Sequence, residues 1–373
     1  MKKVLFLYKF LPQYRVDFFQ KLKVSLREHD VDLQLIYGKL NSNDKLKKDD
    51  AIIDWAICIQ NLTCVLGKTE LIFQPVIKHL KNKDLVIVQP ENKLLITFYL
   101  ILARPFSKYK LGFWSHGKNM QKNVNSWENR IKMSYLSKCD WWFAYTHGVS
   151  KFLQEQKYPE KKITTVQNAI DTLTLQEEYA KISTAQADLL KFNLGITGSN
   201  TAIFCGGMYS EKRIDFILRS CLRIKESVPD FTMIFIGGGV ESVKVQDAAI
   251  KHNWIHYLGP KFGKDRVPYF RISSIQLMPG AVGLGILDSF ALQTPIVTTY
   301  GSFHGPEIDY LETGKNGVIT NNNIEDYTRS IITILREDSY LELIKGCVNS
   351  ATKYTMGNMV KNFTNGILEC LVR

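Results

Sequence analysis

Residues 277–299, LMPGAVGLGILDSFALQTPIVTT, close a short apolar strand with a Gly/Pro turn and then open a helical run carrying one acid, Asp288. Backbone N–H groups at Ala281, Val282, Gly283 and Leu284 fall where a helix leaves its first donors unpaired, so an anion or sugar hydroxyls suit them. Asp288 is an acceptor-only carboxylate, the right type for ribose hydroxyls. The competing reading is tight turn packing, with Asp288 solvated or capping. The stretch GGMYSEKRID sets Gly206 and Gly207 directly after a strand and Lys212 and Arg213 a few residues on. Glycines let backbone N–H groups approach a phosphate, and a nearby cation neutralises it. The G-K-[ST] ending of a P-loop is absent, and an ordinary strand-to-helix turn with surface cations accounts for the residues equally well. GGGVES, with Gly238 at its centre, begins a G-x-G-x-x-G pattern but has Ser242 in the last place, which favours a simple tight turn. His116 ends a strand in FWSHGKN among basic residues, and His304 and Glu307 share a Gly/Pro loop in GSFHGPE. A lone histidine is more often structural than catalytic. A strand's carboxyl end improves the functional case for His116.

These groups need elements to hold them. Apolar strands alternate with helical patterns. Strands are expected at Val4–Tyr8, Val31–Tyr37, Leu85–Gln89, Lys110–Ser115, Trp141–Ala144 and Ile163–Val166. A second run has Thr201–Cys205, Met233–Ile236, His256–Leu258, Ile275–Met278, Ile296–Thr299 and Gly317–Ile319. Strands separated by helices predict an α/β fold of parallel sheets with helices on both faces, and ligands then sit beyond the carboxyl ends of strands. The polar helical stretch Thr172–Ser199 separates the two runs. Two doubly wound domains are expected, an N-terminal one over 1–178 and a C-terminal one over 179–354, followed by a C-terminal helix over 355–373. The start resembles a signal peptide for a few residues, but Lys9 breaks the apolar run, and Val4–Tyr8 is read as a buried strand.

Charge is unevenly placed. Residues 1–171 hold 28 Lys/Arg against 16 Asp/Glu, whereas 172–373 hold 20 of each. Between Asn92 and Lys138 there are nine basic residues and one acid, Glu128, with Phe106, Tyr109, Phe113, Trp114 and Trp127 interleaved. Such a field favours an anionic partner, and the aromatic admixture suits a lipid headgroup region. Arg104, Lys108, Lys110, Lys118 and Lys122 are the expected membrane patch. Leu94–Ala103, at ten residues, is about half the length of a spanning helix and is expected to be a buried helix, with an interfacial segment as the lesser reading. Seven scattered cysteines without a C-x-x-C suggest neither a disulfide framework nor a zinc site, and point to a reducing compartment. Nucleic-acid binding is not expected, since no recognisable binding module accompanies the charge.

In order, these pieces resemble the GT-B glycosyltransferases of family 4, retaining enzymes that include many makers of bacterial cell-surface polysaccharide. TVQNAID (165–171) is similar to the family's V-x-N-G-V-D, and GGMYSEKRID (206–215) to G-R-L-x-x-E-K-G-x-D. FIGGGVE (235–241) is similar to V-G-D-G-P-E, PGAVGLGILDSFALQTPIVTT (279–299) to S-E-G-F-G-L-V-L-L-E-A-M-A-x-G-x-P-V-V, and GPEIDYLETGKNGVI (305–319) to P-E-x-x-x-x-G-x-x-G. FWSHGKN (113–119) and KFLPQYRVDFF (9–19) resemble the cell-surface branch. The resemblance implies two Rossmann-like domains facing a cleft, the second binding a nucleotide-diphosphate sugar and the first a glycan or polyprenyl-pyrophosphate-linked acceptor. It implies donor contacts from Gly206, Gly207, Lys212, Arg213, Gly238, Ala281, Val282, Gly283, Leu284, Asp288 and Glu307. It also implies acceptor contacts from Tyr14 and Arg15, and a catalytic His116 near the transferred sugar. It implies no cofactor beyond the nucleotide-sugar substrate, no metal, and a place on the inner face of the cytoplasmic membrane. The C-terminal helix is expected to cross back to the first domain.

Two positions depart from the pattern. The family's first acid falls on Gly280 and its phosphate-binding arginine on Gly207, with Arg213 the expected substitute for the latter. The expected activity is sugar transfer with retention of configuration. The other reading is a non-catalytic relative that keeps nucleotide or glycan binding.

Overall fold

The computed structural model describes residues 1–39, 51–67, 69–117, 127–301 and 303–373. The chain divides into two compact units, one made of Met1–Ile170 with Met356–Arg373 and the other of Asp171–Thr355.

The first unit is built on a seven-stranded sheet in which every paired strand is parallel. Its strands are β1 (Lys2–Tyr8), β2 (Val31–Gly38), β3 (Ile57–Ile59), β6 (Leu85–Val88), β7 (Lys110–Ser115), β8 (Trp141–Ala144) and β9 (Ile163–Thr165). A hairpin of β4 (Leu62–Leu66) and β5 (Thr69–Phe73) stands apart from it. The sheet order is β3-β2-β1-β6-β7-β8-β9. The strands are short apolar runs because helices cover both faces. Along β7, Trp114 packs among Phe6, Phe18, Phe19 and Phe363 on one face. Phe113 meets Tyr135 and Trp142 on the other.

The C-terminal helix Met356–Val372 belongs to this unit. It supplies Phe363, which stacks on Phe143 at 4.9 Å. Gly366 faces Thr164 so closely that a Cβ would overlap that side chain. Lys110 Nζ donates to the Cys370 carbonyl at 2.7 Å, satisfying a carbonyl at the helix end.

The second unit has a six-stranded parallel sheet of β10 (Thr201–Cys205), β11 (Thr232–Ile236), β12 (Ile255–Tyr257), β13 (Ile275–Leu277), β14 (Ile296–Thr299) and β15 (Gly317–Thr320). Its order, β12-β11-β10-β13-β14-β15, reverses between β10 and β13, the crevice where doubly wound sheets bind ligands. The helix Leu173–Lys181 packs on the helices Val267–Arg271 and Gly285–Ala291 of this unit.

The helix expected at Leu94–Ala103 runs over Leu95–Ala103 and is buried on one side only. Ile96, Thr97 and Leu100 face the core, whereas Leu95, Tyr99, Leu102 and then Phe106 are exposed. The exposed set recurs at spacings of four, three and four residues, which is one stripe of a helix. Uniform hydrophobicity hid this two-sidedness in the sequence.

Candidate functional site

At the reversal of the second sheet, the turns after β10, β11 and β13 lie against one another. A Cβ on Gly237 would collide with the Gly206 carbonyl, and one on Gly239 would lie 2.5 Å from the Met208 carbonyl. Met208 N–H donates to the Gly238 carbonyl at 2.8 Å. Gly237 and Gly239 therefore serve the close approach of the two turns. A side chain at 207 would meet the Tyr209 ring at 2.5 Å.

Gly280 has a physical cause. A Cβ there would run into the Glu211 carbonyl and lie 2.6 Å from Lys212 Cα. Ala281 N–H donates to that same Glu211 carbonyl at 2.8 Å. The helical turn Ser210–Lys212 thus occupies the space that any side chain at 280 would need. The two cations of this turn are tied down. Lys212 Nζ donates to the Ala281 carbonyl, and burial lowers its pKa from the ordinary lysine value. Arg213, in the left-handed region at φ 59°, bonds Asn322 Oδ1 at 2.6 Å, Thr299 Oγ1 at 3.1 Å and the Pro279 carbonyl at 3.3 Å. Its guanidinium also lies over Phe216 at 4.2 Å.

The backbone donors divide. Val282 N–H donates to His304 Nδ1 at 3.1 Å, and His304 Nε2 reaches the Thr299 carbonyl at 2.9 Å. That pairing assigns the ring proton to Nε2. The N–H groups of Gly283 and Leu284 have no partner among the described residues. Glu307 is buried in the 3₁₀ turn Pro306–Tyr310.

Asp288 is buried and grips Arg266 in a two-pronged ion pair, with N···O distances of 2.7 and 2.9 Å. Burial raises the Asp288 carboxyl from its ordinary value, and Arg266 opposes that shift. Arg266 carries no sequence signal of its own, because KDRVPYF is neither glycine-rich nor next to Asp288 in the chain.

At the carboxyl edge of the first sheet the arrangement differs. Arg15 is buried, with Nη2 on Asn168 Oδ1 at 2.5 Å, Nη1 on the Ala169 carbonyl at 3.3 Å, and its plane over Trp114 at 4.9 Å. Tyr14 beside it is exposed. His116 stands just beyond β7, its ring edge-on to Tyr145 at 6.0 Å, and its nitrogens have no hydrogen-bond partner among the described residues. Burial and the neighbouring Lys132 push its pKa down to about 3, so the ring is neutral. Lys132 is buried, and its Nζ lies 3.4 Å from Ser115 Oγ. In the sequence Lys132 was one of nine charges in a basic stretch, with nothing to mark it as buried.

Of the expected membrane patch, Arg104, Lys108 and Lys110 line one open surface pocket with Asp140. Within it Arg104 is paired with Asp140 at 2.5 Å and Lys110 bonds the C-terminal helix. Lys118 and Lys122 lie outside the described residues. Among the described residues no helix is long and apolar enough to cross a membrane.

Residues 199–337 match the family of glycosyl transferases group 1, a stretch that lies within the second unit and covers its β10–β13 reversal. No curated protein sequence matches the chain. Among solved structures, a glycosyltransferase from Rickettsia africae ESF-5 superposes with a TM-score of 0.69 at 14% identity, covering 100% of this chain and 99% of that one. The Anabaena protein Alr3699/HepE in complex with UDP does so with a TM-score of 0.70 at 13% identity, covering 99% and 100%. A Listeria monocytogenes protein described as a putative UDP-N-acetylglucosamine 2-epimerase gives 0.61 at 15%, covering 97% and 94%. At such identities the likeness is one of fold: the chain has the GT-B architecture of two doubly wound α/β domains.

Proposed function

We propose that the protein is a glycosyltransferase that takes a sugar from a nucleoside-diphosphate donor. The observation that carries this reading is the match over 199–337, which falls on the unit whose glycine turns crowd the β10–β13 reversal. The UDP found with the Anabaena structure makes a uridine diphosphate donor the first to try.

In this reading the Gly283 and Leu284 N–H groups and Lys212 face the donor diphosphate, with Gly206, Gly207 and Gly238 shaping the turns. Asp288 and Glu307 serve the nucleoside side, and Arg266 holds Asp288 in place. Arg213 braces the turn from behind through Asn322 and Thr299. His116 meets the sugar, and Tyr14 meets the acceptor. Transfer proceeds with retention and without a metal. The bond from the anomeric carbon to the diphosphate oxygen breaks, and the acceptor oxygen bonds to that carbon from the same face. The acceptor proton passes to the departing diphosphate. The protein contributes positioning and fixed dipoles. The acceptor is a cell-surface glycan or its lipid-linked precursor, and the exposed stripe Leu95, Tyr99, Leu102 and Phe106 beside Lys108 rests on an anionic membrane surface.

A second reading, a non-catalytic relative, is favoured by one observation: Lys212, Arg213 and Asp288 are all engaged within the chain, and the space at Gly280 is filled by backbone.

Thermal unfolding with UDP, GDP, ADP, CMP and dTDP separates the two. A nucleotide at a hundred times its dissociation constant stabilises by about 2.7 kcal/mol. One nucleotide should raise the midpoint in the wild type and not in Lys212→Ala. That nucleotide's sugar conjugates should then be consumed by the wild type and not by His116→Ala. A nucleotide shift with no turnover of any conjugate establishes the non-catalytic reading.

A further inference from the structure

We propose that Lys132 and His116 form a binding site for an oxyanion carried by the acceptor, a carboxylate or a phosphoryl group, at the carboxyl end of β7. Lys132 is 7% exposed, and its ammonium has three donors but a single partner among the described residues, the Ser115 hydroxyl at 3.4 Å. Glu91, the acid whose charge acts on it among the described residues, is engaged with Lys9 at 3.7 Å. Other cations of this unit are treated differently. Arg15 bonds Asn168 and the Ala169 carbonyl, Arg104 forks onto Asp140, and Lys110 bonds the Cys370 carbonyl. A buried charge without a counter-charge is unfavourable, and a fold keeps one where a ligand supplies the missing partner.

The neighbouring groups suit such a ligand. His116 is neutral and has no hydrogen-bond partner among the described residues, so it accepts a hydrogen bond from an acceptor hydroxyl while Lys132 holds the anion. Beyond it, Gln89 donates to the Tyr8 and Tyr145 hydroxyls at 3.1 Å each, giving a polar floor. The identity of this anion as part of the acceptor rests on the glycosyltransferase reading. The site itself does not.

The test is a nuclear magnetic resonance titration of the full chain carrying ¹³C-labelled histidine, with His116→Gln assigning the His116 ring. Inorganic phosphate, acetate and UDP are added separately at constant ionic strength. Phosphate or acetate should shift the His116 signals saturably, and Lys132→Met should weaken that affinity by about tenfold or more, the loss of one charge-assisted contact. Lys132→Arg should retain most of it. A wild-type ring that ignores both small anions overturns the site, and so does an equal response in Lys132→Met. A response to UDP alone overturns its assignment to the acceptor. Failure of the transferase reading would appear as absent nucleotide stabilisation and turnover, which this readout does not use.

Discussion

The carboxyl edges of the two sheets are opposites. In the second unit the charged groups are satisfied from within: Lys212 by a carbonyl, Arg213 by a carbonyl and two side chains, and Asp288 by Arg266. In the first unit His116 and Lys132 have no strong partner among the described residues. The first arrangement is a braced frame, in which turns approach so closely that only glycine fits at 237, 239 and 280. The second retains unpaired polar groups, which cost stability and are the mark of a place awaiting a ligand.

The contrast breaks most visibly if the Asp288–Arg266 pair proves dispensable. Arg266→Ala leaves a buried carboxylate alone and should destabilise by about 3–5 kcal/mol in urea unfolding. An effect below about 1 kcal/mol would mean that the pair is not part of the frame. Next in size is Gly280. Placing the acid of the similar motif at this position as Gly280→Glu, or adding only a methyl as Gly280→Ala, should cost about 1–3 kcal/mol, because Glu211 and Lys212 backbone must move. A stable Gly280→Glu protein with enhanced turnover would show that the space can reopen.

His116 sharpens the other side through pH. Its folded pKa of about 3 lies below the ordinary 6.5, so the unfolded chain takes up the proton first. Holding the ring neutral therefore has no net effect above pH 6.5 and weakens the fold as pH falls from 6.5 toward 3, by about 1.4 kcal/mol per unit at most. His116→Gln should lose less stability than wild type between pH 7 and pH 5, and parallel curves would remove the desolvated neutral ring. The smallest effect expected is on the exposed stripe. Leu102→Ser with Phe106→Ser should change stability by less than about 0.5 kcal/mol yet reduce binding to anionic liposomes. Unchanged partitioning would end the membrane role of that face.

How far each side could be read beforehand follows from the range of the forces involved. The β1 and β10 strands announce themselves as apolar runs closed by turn residues, since burial on both faces demands local hydrophobicity. The edge strand β3 and the β4–β5 hairpin carry no such mark. The residues of β3 are partly or largely exposed, and in the hairpin Leu62 and Val65 are exposed while Ile72 is buried, so no long apolar run announces them. The glycine turns were visible as composition, but their purpose was not. Gly280 looked like a lost acid until the Glu211 carbonyl was found in its place. The burial of Arg15 on Trp114, far from it in the chain, was equally hidden.

The sequence by itself determined the two-run α/β plan, the concentration of positive charge in residues 1–171, and which turns end the strands. These depend on residue type and short spacing, which hydrophobic periodicity and turn chemistry write directly into the chain. Only the tertiary structure decided which charges are spent and which remain. Asp288 meets Arg266 from 22 residues away, Arg213 meets Asn322 across 109, and Lys132 lies buried near Ser115 across 17. Pairing of charges depends on distance in space and on the dielectric around them, and neither is a property of neighbouring residues in the chain.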